Sequence, residues 1–128
     1  MRASDFLIEG IAKEFVHKFA PWVAEQLEIE KLPPIKLLAK PVGTSFGGYN
    51  PNTQSIEIVV AGRHPIDVLR TLAHELTHYQ QDLEGKLYDG AGETGTPEEN
   101  EANSNAGIIM RDFAQLHPEY FGLEHAGQ

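Results

Sequence analysis

The sequence predicts an α+β domain, on three observations. Phe6, Leu7, Ile11, Phe15 and Phe19 form an apolar stripe with mostly helical spacing in the first third. Ile56 and Ile58 flank Glu57 in a run rich in β-branched residues, the period-two signature of a strand with one buried face. Two further stretches, around Leu69, Leu72, Leu76 and Leu83 and around Ala102, Ala106, Ile109, Phe113 and Leu116, repeat at helical spacing. The expected architecture is a small, twisted, mainly antiparallel sheet packed on the first of these later helices, with helices before and after. The chain has 128 residues, enough for one core, so residues 1–128 are expected to form a single domain. It divides into a helical region at 1–32, a sheet or hairpin region at 33–62, and two helices with their connecting loop at 63–117.

The elements follow in order. Ser4 is placed to cap the first helix, and Pro21 divides it from a second short helix carrying Trp22, Val23 and Leu27. Pro33-Pro34 ends the helical region, and Ile35 to Ala39 is a strand candidate. A hairpin is expected from Ser45–Asn50, a turn at Pro51–Gln54 and Ser55–Val60, because Asn50-Pro51-Asn52-Thr53 is dense in turn formers. The next helix begins after Gly62, with Pro65 in its first turn and Asp67 placed against the helix dipole. A Gly-rich acidic loop spans residues 85–95. Thr96-Pro97-Glu98-Glu99 then reads as a capping box in which Glu99 reaches back to the chain entering the helix. His117-Pro118 ends that helix, and the tail after Tyr120 is expected to fray.

Charge and composition exclude several functions. Ten Lys and Arg against 19 Asp and Glu leave a formal charge of −9. So acidic a surface repels nucleic acid and anionic lipid, and neither is expected as a partner. With no cysteine there is no disulfide, no thiol nucleophile and no cysteine-ligated zinc ribbon. The longest unbroken apolar run, Ile58 to Ala61, falls far short of the roughly 20 residues that span a bilayer. Asp5, Glu9, Lys13 and Glu14 interrupt the region where a secretory signal would be apolar, so a cytoplasmic protein is expected, with a phage-encoded one reading the same way.

The chemistry is concentrated in His74-Glu75-Leu76-Thr77-His78. On a helix, residues four apart project from one face a turn apart, so two imidazoles at that spacing can chelate one ion. Glu75 sits about 100° around the helix from His74, beside the ion rather than on it, where a general base for an attacking water belongs. Zinc is the expected metal, one per chain, and a catalytic zinc uses three protein ligands and leaves a position open. Without cysteine the third ligand is His, Glu or Asp. Glu101 is the leading candidate, deeper in its helix than Glu98 and Glu99, whose first-turn positions already explain their charge. Glu98 is the alternative.

His74-Glu75-Leu76-Thr77-His78 followed by Asn100-Glu101-Ala102-Asn103-Ser104-Asn105 resembles the gluzincin metallopeptidases, typified by thermolysin. That family pairs its zinc helix with an Asn-Glu-x-x-Ser-Asp helix whose Glu is the third ligand. Asn100, Glu101 and Ser104 match, and Asn105 stands where the family has the Asp that orients the first zinc histidine. The similarity covers roughly residues 46–113 and lacks the family's second domain, so it implies a minimal zincin core. Small phage and SprT-like metallopeptidases are looser relatives that use a third histidine; only His117 and His125 follow here, both beyond the helix. The resemblance implies zinc-dependent hydrolysis of peptide or protein substrates, with His74, His78 and Glu101 on the metal and Glu75 as base. Asp82 also matches, and Tyr88 stands near the family's oxyanion-binding tyrosine. Tyr79 reads as a packing residue. An edge strand would bind the substrate backbone, either 46–50 or its hairpin partner 55–60. The other reading is a weakly active regulatory or phage structural protein that retains the site.

Overall fold

The structure is a computed structural model describing residues 9–40, 45–88, 90 and 93–120. The described residues form an α+β fold of three helices and one three-stranded sheet: α1 (Glu9–Gln26), β1 (Ile35–Leu38), β2 (Gly47–Asn50), β3 (Ser55–Val59), α2 (Pro65–Leu83) and α3 (Pro97–Leu116). A short 3₁₀ turn, Pro118–Tyr120, follows α3. Phe6 and Leu7, the Ser4 cap and the tail after Tyr120 lie outside the described residues.

The sheet order is β1-β3-β2. β2 and β3 form the expected antiparallel hairpin, with Tyr49 opposite Ile56 and Gly47 opposite Ile58. β1 pairs with the far side of β3 in parallel, Ile35 opposite Ile56 and Leu37 opposite Ile58. The sheet is therefore mixed, not mainly antiparallel. Local turn chemistry encodes a hairpin, but the direction in which a third strand adds depends on how the intervening chain crosses. β3 carries the strongest strand pattern and takes the centre, with Ile56 and Ile58 fully buried and Glu57 exposed.

α1 runs unbroken through Pro21. The carbonyl of His17 loses its helical donor there, yet His17 and Pro21 are both exposed, so water can take the place of that bond. The apolar positions Ala12, Phe15, Val16, Phe19, Ala20 and Val23 stay buried across it, and packing holds the helix together. The inward face passes through Ala12; Ile11 is 52 % exposed. Phe15, Phe19 and Trp22 meet Phe113 of α3, with Tyr120 closing the aromatic cluster.

α2 is the central element, packed on α1, α3, β2 and β3. Its start is set by His64, whose Nδ1 accepts from the Ile66 amide, and by Pro65 in the first turn. Its end is set by Gly85 at φ +72°, where the Lys86 amide returns to the Gln81 carbonyl. Leu69, Leu72 and Leu76 are fully buried, each contributing about 1.5–3 kcal/mol of transfer free energy. Leu83 and Leu116, the last residues of α2 and α3, were expected on the same faces but are exposed, since each helix outruns the core at that point. Among the described residues no helix is long and apolar enough to cross a membrane.

The edge strand β2 lies against α2 because of one glycine. A β-carbon at Gly47 would stand 2.4 Å from Thr71 Cγ2 and 3.1 Å from the Glu57 carbonyl, whereas one at Gly48 would meet nothing within 4 Å. Gly47→Ala is expected to cost about 1–3 kcal/mol in chemical denaturation, by overpacking. Gly48→Ala should be near neutral, and Thr71→Ser should restore part of the Gly47→Ala loss. Equal stability of the two alanine variants would show that β2 does not press on α2.

Candidate metal centre

His74 and His78 stand one turn apart on α2, near the cleft between α2, the start of α3 and β2. Their rings meet edge to face with centroids 4.9 Å apart, and their Nε2 atoms lie 3.2 Å apart. A carboxylate oxygen completes the triangle: Oε1 of Glu99 is 3.1 Å from His74 Nε2 and 3.0 Å from His78 Nε2. Ligands at bond lengths of about 2.0–2.2 Å on one tetrahedral ion stand roughly 3.3–3.6 Å apart, so this triangle needs little opening to hold a divalent cation. Glu75 belongs to the same group, each of His74, Glu75 and His78 offering an atom within 4.8 Å of the others, and this group could hold a metal ion.

The carboxylate that stands beside the two rings is not the one the sequence favours. Glu101 is exposed and accepts from the Gln81 side-chain amide at 2.7 Å. Glu98 is engaged by the Tyr88 hydroxyl. The capping-box spacing assigns Glu99 a bond back to Thr96, but its carboxylate faces the two imidazoles instead. Thr96 Oγ1 accepts from the Glu99 amide at 3.1 Å, while the Thr96 amide bonds to the Glu93 carbonyl at 3.2 Å. The Glu99 side chain is thereby free to turn across to α2. The polar neighbour of His74 is likewise two positions earlier than the sequence suggests. Asn103, four residues after Glu99, is the neighbour that acts on His74 and favours its imidazolium, whereas Asn105 donates to Thr77 Oγ1 at 3.4 Å. A carboxylate followed four residues later by a histidine partner is the relation expected at 101 and 105, set one half-turn earlier in the helix.

Burial dominates the electrostatics. It holds His74 below the usual histidine range, against the pull of the Glu99 carboxylate, which favours the imidazolium; His78 adds to the lowering. The Glu75 carboxyl, 8 % exposed, is pushed up to about 7 by burial, with His78 opposing the shift and Glu99 adding to it. A carboxyl placed there takes and returns a proton readily near neutral pH.

The cleft beside the centre has a volume of about 660 Å³, bounded by Gly47, Gly48 and Tyr49 of β2 on one side and by His74, Glu75, His78 and Glu99 on the other. A second depression of about 400 Å³ shares Ser45, Gly47, His74 and Glu75 with it and continues toward Arg70 and Asn103. β2 is an outer strand of the sheet and walls both. Of the two strands considered for that edge, the first holds it. Tyr88 lines the larger cleft, 54 % exposed, and its bond to Glu98 raises its pKa. Asp82 lines it too, but accepts from the Tyr49 hydroxyl at 2.5 Å, and Tyr49 packs edge to face on the buried Tyr79.

Sequence reasoning passed over Glu99, Asn103, Gln81 and Tyr49. The pairing of Glu99 with Asn103 four residues on was a usable signal, obscured by the equally spaced Glu101 and Asn105. Tyr49 carried none, because its partner Asp82 is 33 residues away.

No family model, no curated protein and no solved structure matches this chain. The geometry therefore carries the functional argument. Glu99→Ala is expected to weaken binding of zinc or cobalt by more than about 100-fold, while Glu101→Ala weakens it far less. Metal titration of the two variants decides between them, and loss confined to Glu101→Ala would reverse the assignment.

Proposed function

We propose that this chain is a zinc-dependent peptidase of gluzincin type, with His74, His78 and Glu99 as its metal ligands and Glu75 as its general base. The single observation that carries the reading is the convergence of His74 Nε2, His78 Nε2 and Glu99 Oε1 within 3.0–3.2 Å of one another, with Glu75 beside them. Two nitrogens and one carboxylate oxygen, with no thiolate, are the donor set of hydrolytic zinc sites. Zinc held there supplies Lewis acidity, making water a better nucleophile and polarising the carbonyl it attacks.

The residues of the chain do the rest. Glu75 accepts the proton of the attacking water at its carboxylate and passes it to the nitrogen of the departing amine. The outer edge of β2, which pairs with no strand among the described residues, runs along the cleft and suits an extended peptide passing Glu75. Gly47 and Gly48 keep that edge free of side chains where the substrate backbone would approach. Tyr88 stands at the cleft with its hydroxyl free to exchange Glu98 for a developing oxyanion.

Glu75→Gln in the zinc-loaded protein is expected to keep fold and metal while lowering peptide hydrolysis by about 10²–10⁴-fold, since an amide accepts no proton. A peptide-library digest read by mass spectrometry, wild type against variant, measures it. Equal cleavage by the two proteins would remove Glu75 from the role of base.

A further inference from the structure

Gln81 is fully buried and is not among the proposed ligands, yet its side chain makes three hydrogen bonds at the centre. Its Oε1 lies 2.8 Å from His78 Nδ1. Its Nε2 donates to the Glu98 carbonyl at 3.0 Å and to Glu101 Oε1 at 2.7 Å. Resting on the metal reading above, we propose that Gln81 is a positioning residue that sets the tautomer of His78 and seats the first turn of α3, so that two of the three ligands depend on one amide.

The orientation of the amide follows from its partners. Glu98 O and Glu101 Oε1 are both acceptors, so the amide nitrogen must face them; the flipped amide would set three oxygens against one another. Oε1 is then left for the ring of His78 and can only accept, so the hydrogen of the neutral ring sits on Nδ1. The lone pair of His78 is thereby placed on Nε2, the atom 3.2 Å from His74 Nε2 and 3.0 Å from Glu99 Oε1. With the opposite tautomer, an N–H would occupy the point where a cation belongs.

The second arm acts on the backbone. Glu98 immediately precedes Glu99, and the bond from Gln81 ties its carbonyl to α2 across 17 residues of chain. This fixes the distance of α3's first turn from the two imidazoles and so the reach of the Glu99 side chain. Glu101, whose matching spacing suggested a ligand, serves as the acceptor that holds the amide in place.

The test separates positioning from packing. Gln81→Met keeps the buried volume and removes all three bonds. Gln81→Glu, ionised, keeps an acceptor for His78 and loses both donors. Ring ¹⁵N–¹H correlation spectra of the metal-free proteins read the position of the His78 ring hydrogen directly. The wild type and Gln81→Glu should show hydrogen on Nδ1, and Gln81→Met should shift His78 toward hydrogen on Nε2. Zinc affinity should fall about 10–100-fold in Gln81→Met, as for loss of other partners that orient a metal ligand. Circular dichroism of each variant identifies one that fails to fold, and Gln81→Glu then carries the affinity arm. An unchanged tautomer with unchanged affinity in a folded Gln81→Met protein overturns the proposal. Failure of the wild type to take up zinc overturns the metal reading alone, because the metal-free spectra still decide what Gln81 does to His78.

Discussion

Three electron-pair donors at one point are a constraint that the rest of the fold has to satisfy. Two imidazole nitrogens and a carboxylate oxygen within 3.0–3.2 Å repel one another unless a proton or a metal cation lies among them. Holding them there takes rigid supports. α2 supplies the two rings at fixed helical spacing, and its buried Leu69, Leu72 and Leu76 lock its position in the core. α3 supplies the carboxylate from its first turn, where the helix N-terminus also favours negative charge. The packing of α2 on α3 is thus both the largest interhelical contact and the scaffold of the centre.

The same constraint explains the half-formed cap. A Glu at the third position of a helix ordinarily bonds back to the chain that enters it, at a gain of about 1 kcal/mol or less. Here Thr96 keeps its half of the arrangement, and Glu93 takes over the other through its carbonyl. The local saving is small beside what a bound divalent cation contributes, since ligand at 100 times its Kd adds about 2.7 kcal/mol to the folded state. A residue diverted from a local role to a distant one marks a site, because nothing in the segment itself requires the diversion.

The edge strand adds the remaining feature. β2 is held close to α2 by Gly47 and by Arg63, whose guanidinium reaches the Val59 carbonyl at 2.8 Å and Thr71 Oγ1 at 2.8 Å and stacks on Phe46. An unpaired edge is ordinarily a liability that chains cover or charge. The outer edge of β2, which pairs with no strand among the described residues, borders a cleft with Glu75 and the imidazoles opposite.

The sequence by itself determined the class of fold, the helix carrying His74, Glu75 and His78, its start at Pro65, the hairpin and the cap at Thr96. Each of these rests on contacts within a few residues: helical spacing, strand alternation, turn chemistry and capping. Tertiary structure decided the parallel addition of β1, the continuity of α1 through Pro21 and the choice of Glu99 over Glu101. Those depend on energies between segments far apart in the chain. Glu99 and Glu101 are carboxylates on one helix, two residues and about 200° apart. Only the rotation of α3 against α2, anchored by Gln81 and by the burial of Ala102, Ala106 and Phe113, turns one toward the histidines and leaves the other outside.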